Sequence, residues 1–332
     1  MSTTPSKATE DLSIFNPSCS YVPDDQICPD LLDGIFAHVA RIAPIKKALE
    51  LKKINAQAER SITRALARNN HLRIDIHEPA QYRMIGLNRE KIKHPDPIIY
   101  IQGSHVPAAE AEAILLLILK DVTILKRLSI TVEDPDLTNL DLLLDHVIKC
   151  ERVKLEVLQV HRRKGGQSIP KIAQLIKANA KTLKVIGRIG LQEAAEGCVE
   201  EMKLDRLSLM TFDLGLDASS NRIFDNLATI IRSKVTFKHL SYTSFIGFDP
   251  TDELIQNFLD ACGVQSLRLT MMKGPYISPQ PEYMVGKVRR VQHIEMGEVV
   301  DKPNIFNSLI TYEKIFLKVF PNVDDIHYFQ QW

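Results

Sequence analysis

The residues whose types and spacing could do chemistry are few. Ser168-Ile169-Pro170-Lys171 has the Ser-x-x-Lys spacing by which a lysine activates a serine nucleophile. The same serine stands two residues before a proline suited to a first helical turn, and there its hydroxyl is expected to cap the helix instead. Arg162-Arg163-Lys164-Gly165-Gly166 joins cations to glycines, the composition of a phosphate-cradling loop. The next helix, at Ile169-Pro170, starts too late for such a loop, so the stretch reads as a solvated turn. His77-Glu78 and Asp324-Asp325-x-His327 hold metal-ligand types without the partner spacing of a site. Cys19, Cys28, Cys150, Cys198 and Cys262 form no C-x-x-C pair, which argues against a zinc module or a disulfide framework and for free thiols in a reducing compartment. Phosphate-loop, dinucleotide, zincin and nucleophile-elbow patterns are absent from the sequence. The expectation is therefore a chain that is not an enzyme, with no catalytic residue, no cofactor and no metal.

Composition bounds the alternatives. Of 332 residues, 45% are hydrophobic and 25% charged, which excludes wholesale disorder and a fibre. The net charge of +1 supplies no global field to recruit nucleic acid or anionic lipid. Arg41 to Lys93 is the one strongly biased stretch, with 13 Lys+Arg against 5 Asp+Glu. Tyr82 is its only aromatic, so it lacks the stacking surface of a nucleic-acid site and better suits a solvated helical face or an acidic protein partner. Met1 to Glu10 is polar, without the apolar core of a secretory signal, and the longest apolar run, Ala113 to Leu119, is far short of a membrane span. An intracellular location, cytoplasmic or nuclear, with no membrane, is expected.

Four regions position these residues. Residues 1–25 read as a flexible tail. Residues 26–70 read as three short helices: Leu31, Leu32, Ile35, Phe36 and Val39 make one apolar stripe, Pro44 breaks the chain, and Ile45, Leu49 and Ile54, then Ala58, Ile62 and Leu66, continue the pattern. Residues 71–107 contain two strands, His71 to Ile76 and Ile98 to Ile101, as a connector or a first irregular repeat.

From residue 108 to 332 a pattern recurs, apolar-x-x-apolar-x-apolar. It appears as Leu125/Leu128/Ile130, Leu155/Leu158/Val160, Leu204/Leu207/Leu209, Phe237/Leu240/Tyr242, Val264/Leu267/Leu269, Val291/Ile294/Met296 and Val323/Ile326/Tyr328. Leu183/Ile186 starts it, but Arg188 fills the third slot. The first positions lie 30, 28, 21, 33, 27, 27 and 32 residues apart, near the upper edge of leucine-rich-repeat periods. Helical stripes lie between them, around Leu140 to Ile148, Ile169 to Ile176, Ile223 to Ile231, Leu254 to Leu259 and Ile305 to Phe316. Strand and helix alternate, so the fold class expected is α/β: a leucine-rich-repeat-like solenoid of parallel strands with outer helices. An ordinary open α/β domain would alternate in the same way.

Ile27-Cys28-Pro29-Asp30-Leu31-Leu32-Asp33-Gly34-Ile35-Phe36-Ala37-His38-Val39 resembles the opening of an F-box, with Cys28 in the place of the usual leucine. Ala48 to Leu66 would match its later helices. The late tryptophan common in F-boxes is missing, since the only tryptophan is Trp332. Together with the repeats, the chain is similar to the divergent F-box/leucine-rich-repeat proteins abundant in nematodes. That resemblance implies a substrate-recognition subunit of an SCF-type ubiquitin ligase. It would dock on a Skp-type adaptor, and through it the cullin core, with Pro29, Leu31, Leu32, Ile35 and Val39, and hold a protein target.

On each repeat strand the residues between the apolar positions face away from the core. These are Arg127, Ser129 and Thr131; Gln159 and His161; Arg206, Ser208 and Met210; His239, Ser241 and Thr243; Ser266, Arg268 and Thr270; His293 and Glu295; Asp325 and His327. The binding candidates among them are Arg127, His161, Arg206, His239, Arg268, His293, Asp325 and His327. Arg127, Arg206 and Arg268 are expected to share one register and to favour an acidic or phosphorylated target. Two other readings stay open: a repeat scaffold that recruits no ligase, and an enzyme on an ordinary α/β fold with its site at strand ends.

Overall fold

A computed structural model describes residues 29–76, 80–85, 88–93, 98–133, 137–162, 168–210, 220–244, 252–271, 288–299 and 316–331. Proline and apolar spacing shape its first part. Pro29–Ile42 forms α1, Pro44 sets the entry to α2 (Ile45–Leu51), and the Asn55 side chain caps α3 (Ala56–Ala67) by accepting the Ala58 N–H at 2.7 Å. Ala58, Ile62 and Leu66 are buried. α1 and α3 are also tied by a polar clasp, in which Ser61 and Gln57 donate to the Asp33 carboxylate. Those bonds hold the Asp33 carboxyl below its ordinary range. Ile54, expected to continue the apolar pattern, is 60% exposed just past the end of α2.

Eleven strands form one sheet. β1 (His71–Ile76) starts the series. β2 (Ala80–Ile85) and β3 (Asn88–Lys93) make a separate hairpin. β4 (Ile98–Ile101) and β5 (Ser104–Pro107) form a second hairpin, with Gln102 at φ 48° and Gly103 at φ 78° in the two-residue turn that strand twist favours. β4 pairs antiparallel with β1. Every further strand runs parallel to its predecessor: β6 (Leu125–Val132) beside β1, then β7 (Val153–Arg162), β8 (Val185–Gly190), β9 (Lys203–Met210), β10 (Thr236–Ser244), β11 (Ser266–Met271), β12 (His293–Val299) and β13 (Ile326–Gln331).

Helices connect these strands and pack side by side: α4 (Ala108–Asp121), α5 (Thr138–Lys149), α6 (Pro170–Ala178), α7 (Leu191–Gly197), α8 (Ser220–Arg232) and α9 (Glu253–Ala261). Residues 316–319 are helical as well; Ile305, Phe306, Leu309, Ile310 and Ile315, expected in the same helix, lie outside the described residues. The result is a mixed α/β fold in two layers, a long and mostly parallel sheet with one face against helices. One continuous core runs from Ala40 to Ile326. The apolar positions of the repeat pattern lie in it, except Tyr328, which is 46% exposed on β13, a strand with a neighbour on one side only among the described residues. The shortest interval, 21 residues, is spanned by the seven-residue α7, whose Gly197 lets it lie against α6. A Cβ there would meet Ile176 Cδ1 at 3.0 Å and Ala173 Cα at 3.1 Å.

Two local arrangements hold the layers in place. Glu193, fully buried on α7, accepts the N–H of Ile169 at 2.6 Å and of Gly190 at 2.7 Å and is paired with the buried Arg162 at the end of β7. The cap expected from Ser168 is not made: the residue before α6 is Ile169, and the Ser168 hydroxyl is buried without a hydrogen-bond partner among the described residues. The Glu193 carboxylate reaches this helix start instead, and as an anion it suits the exposed N–H groups there better than a hydroxyl does. At the beginning of the strands, Lys126, Glu156, Lys184, Asp205 and Lys238 form a rim of alternating charge. Lys126 Nζ lies 2.8 Å and Lys184 Nζ 3.6 Å from the Glu156 carboxylate, and Lys238 Nζ lies 4.0 Å from Asp205. The lysines lower the Glu156 pKa, mainly through the Lys126 hydrogen bond.

Candidate functional site

The free face of the sheet carries the polar residues of the repeats in rows set by strand register. One row runs from His71 and Arg127 at one end to Arg206, His239, Ser266 and His293 at the other. The next row, two residues along, holds Arg73, Ser129, Gln159 and Gly187, then Ser208, Ser241, Arg268, Glu295 and His327. Arg268 therefore does not share the register of Arg127 and Arg206. It pairs with Ser241 and Glu295, one row beyond Arg206, because its place in its own repeat is two residues later.

The irregular repeat builds the centre of this face. Ile186 pairs with Leu207 and Ile189 with Leu209, so Gly187 and Arg188 together oppose Ser208 alone. That is a β-bulge, and Arg188 takes it up with φ 55°. The bulge returns Ile189 to the core, fully buried, and leaves Arg188 exposed on the sheet. A cleft of about 340 Å³ opens there. Small residues form its floor: Gly187, Ser208 and Ser241 follow one another on β8, β9 and β10. Arg206 and His239 flank one side, Arg188 and His161 another, and Arg268 stands at the far end beside Glu295, 3.5 Å away. Arg206 has no carboxylate partner among the described residues. Arg188 Nη1 lies 3.4 Å from His161 Nδ1. Burial, then the charges of Arg188 and Arg73, push the His161 pKa down, against an opposing pull from Asp75. The cleft is thus a cationic depression lined mainly by polar groups.

Of the binding candidates, His161, Arg206, His239 and Arg268 line this cleft. Arg127, His293, Asp325 and His327 are exposed on the same face but outside it. Met210 and Thr270, expected to face outward, are buried, Thr270 as part of the cleft wall. Arg188 and Gly187 were missed by sequence reasoning. The signal that finds them is Ile189, which restores the apolar pattern one residue late.

The other candidate surface lies on α1. Leu31 is 59% exposed and Ile35 46%, and Ile42, which the apolar pattern did not single out, is 68% exposed. Positions 31, 35 and 42 fall on one helical face. Leu32 and Val39 are half-buried, while Phe36 and Ala40 turn into the core. Pro29 begins the helix; its side chain lies outside the described residues.

Of the spacings that could do chemistry, those within the described residues do not assemble. Lys171 is bound to Asp145, whose carboxyl it holds below the ordinary range, so the Ser-x-x-Lys pair is not set up for nucleophilic attack. Cys198 and Cys262 are buried, which pushes both thiols up to about 12 and leaves them unreactive. His77, Glu78, Arg163 to Gly166, Cys19 and Cys28 lie outside the described residues. Among the described residues no cluster of His, Cys, Asp or Glu could hold a metal, and no helix is long and apolar enough to cross a membrane. No protein-family model and no curated protein matches this chain.

Proposed function

We propose that this chain is a substrate-recognition subunit of an SCF-type ubiquitin ligase, built as an F-box-like module followed by a leucine-rich-repeat-like solenoid. Helices α1 to α3 dock on a Skp-type adaptor, and through it on the cullin core, and the free face of the sheet holds a protein target. The observation that carries the reading is the contrast between two surfaces. An apolar stripe, Leu31, Ile35 and Ile42, is left uncovered on α1, whereas the binding face of the repeats is polar and cationic. The first suits burial in a lasting interface. The second suits recognition of a separate, charged partner.

In this role the chain makes and breaks no bonds. It raises the effective concentration of a target near an enzyme carried elsewhere in the assembly, so cofactors and metals have no part. Its place is inside the cell, in cytosol or nucleus, with the ligase core.

Co-expression of the full chain with a Skp-type adaptor tests this reading. A stable one-to-one complex is expected, lost in the variant carrying Leu31→Asp and Ile35→Asp. Both side chains are already exposed, so the variant should melt as the parent does. A wild-type chain that forms no complex, or a variant that still does, would leave a repeat scaffold without ligase recruitment.

A further inference from the structure

We propose that the groove between α2 and α4 is an interaction surface for this chain's own N-terminal segment, whose Leu12, Ile14 and Phe15 pack on Leu49, Ile114 and Leu117 and strap the helical module to the first helix of the repeats. The proposal goes beyond the ligase reading and does not depend on it.

Two ion pairs frame the groove. Lys46 Nζ lies 3.1 Å from Glu110 near the start of both helices, and Lys52 Nζ lies 2.6 Å from Asp121 at their ends. α2 and α4 are thus bridged at two points, and an opening of about 660 Å³ is left along them. Leu49, Ile114 and Leu117 give it an apolar floor, and Asn55 and Ala56, where α3 begins, close one side. Leu117 is 46% exposed, and Ile54, between the lining residues Lys53 and Asn55, is 60% exposed. Large apolar side chains gathered around an open groove favour an occupant.

The path of the chain names that occupant. α1 and α3 run side by side in the same direction. Asp33, early in α1, meets Gln57 and Ser61, early in α3, whereas Ala40 and Arg41 share a small cavity with Leu66 and Asn69 at the other end. Pro29 stands one turn before Asp33, so the chain enters α1 beside Asn55 and Ala56, at the edge of the groove. The segment that arrives there has its densest apolar group at Leu12, Ile14 and Phe15. Fourteen residues separate Phe15 from Pro29, a tether with a root-mean-square reach of about 20 Å, against about 16 Å of α4 between Glu110 and Asp121.

Such a tether sets an effective concentration of about 1 mM, so a contact of only about 0.1 mM affinity is closed in roughly nine molecules of ten. A second copy of the chain would have to match that concentration to take its place. Charge points the same way. Residues 1–28 hold four acidic side chains and one lysine, whereas residues 41–70 hold eight cations and two acids. Glu10 and Asp11 directly precede Leu12, and Lys53 on the groove wall has no carboxylate partner among the described residues. Held there, the segment adds a third link across the joint that the two ion pairs cross.

The test uses the full chain with a photoreactive residue, Leu117→p-benzoylphenylalanine, irradiated at low micromolar concentration and mapped by peptide mass. A cross-link within one chain, from position 117 to residues 10–22, is expected. Lys53→p-benzoylphenylalanine, at an exposed position on the groove wall, should give the same product and guards against a misfolded Leu117 variant. Leu142→p-benzoylphenylalanine, equally exposed on α5 but outside the groove, should give none. Ile14→Asp with Phe15→Asp should lower the yield at least about tenfold while the melting temperature of the repeats holds.

A product of twice the chain mass overturns the proposal and makes the groove a contact between copies. Absence of any product with residues 10–22 from both groove positions overturns it, as does a yield indifferent to the Ile14 and Phe15 changes. In the co-expressed adaptor complex the same internal product is expected. A cross-link from position 117 to the adaptor instead overturns the strap and leaves the ligase reading standing, whereas an internal cross-link in a chain that binds no adaptor overturns the ligase reading alone.

Discussion

Replacing Glu193 by alanine should be among the most damaging single changes available in this fold. The carboxylate is fully buried and meets three donors at once: the N–H of Ile169, the N–H of Gly190 and the guanidinium of Arg162, itself 5% exposed. Alanine removes the anion and leaves a buried cation and two buried N–H groups. Breaking a buried ion pair from one side costs about 3–5 kcal/mol, because the remaining charge stays desolvated. The two N–H groups lose their acceptor as well, so about 4 kcal/mol is a conservative expectation. In a chain of this length each kcal/mol moves the melting temperature by about 2 °C, giving a fall of about 8 °C. Glu193→Gln should lie between, since its amide oxygen can serve one N–H while its NH2 faces the other. Thermal unfolding followed by circular dichroism reads both changes. A fall of less than about 2 °C for the alanine variant would refute the reasoning, because it would mean that water or another acceptor replaces the carboxylate at little cost.

Three other measurements probe separate parts of the chain. Asn179→Ala removes a buried link in which Oδ1 accepts the Leu155 N–H at 2.9 Å and Nδ2 donates to the Leu175 carbonyl at 3.0 Å, and a loss of about 2 kcal/mol by urea unfolding is expected. Gly197→Ala drives a methyl against Ile176 and the Ala173 backbone and should destabilise by about 1–3 kcal/mol in the same assay, whereas helix propensity alone would make it stabilising. His161 titrates below its ordinary value, so the unfolded chain binds a proton there more readily and this contribution to stability is lost as pH falls through the ordinary imidazole range. Arg188→Ala removes the second-largest cause of that shift. Nuclear magnetic resonance titration should then show His161 moving up toward its ordinary value while the part due to burial remains.

Much of the sheet was legible because strand side chains alternate strictly. Seven segments such as Leu125/Leu128/Ile130 state which face is buried, and a slip of one residue would have put Arg127 and His239 in the core. The eighth segment broke the pattern at Arg188. A bulge inserts a single residue, and periodicity alone does not distinguish an insertion from a polar core residue. The cleft was therefore half visible: His161, Arg206, His239 and Arg268 follow from alternation, but Arg188 does not. The register of Arg268 was misjudged by treating all repeats as equal in phase. Ser168 was misread for a different reason. Its spacing from Pro170 is local, whereas Glu193, which serves that helix start, is 24 residues further along and reaches it only through packing. The hairpin of β4 and β5 could have been found from Gln102-Gly103, but proline-flanked short strands carry little pattern of their own.

The rim of alternating charge has a consequence for how this array can change length. Lys126, Glu156, Lys184, Asp205 and Lys238 alternate in sign from strand to strand. Removing any one of the three inner strands brings two like charges side by side, Lys126 against Lys184, Glu156 against Asp205 or Lys184 against Lys238, where cross-strand repulsion opposes pairing. Removing two consecutive strands preserves the order of signs. The rim therefore acts as a parity rule: in this half of the sheet, gain or loss of repeats is tolerated in pairs and resisted singly.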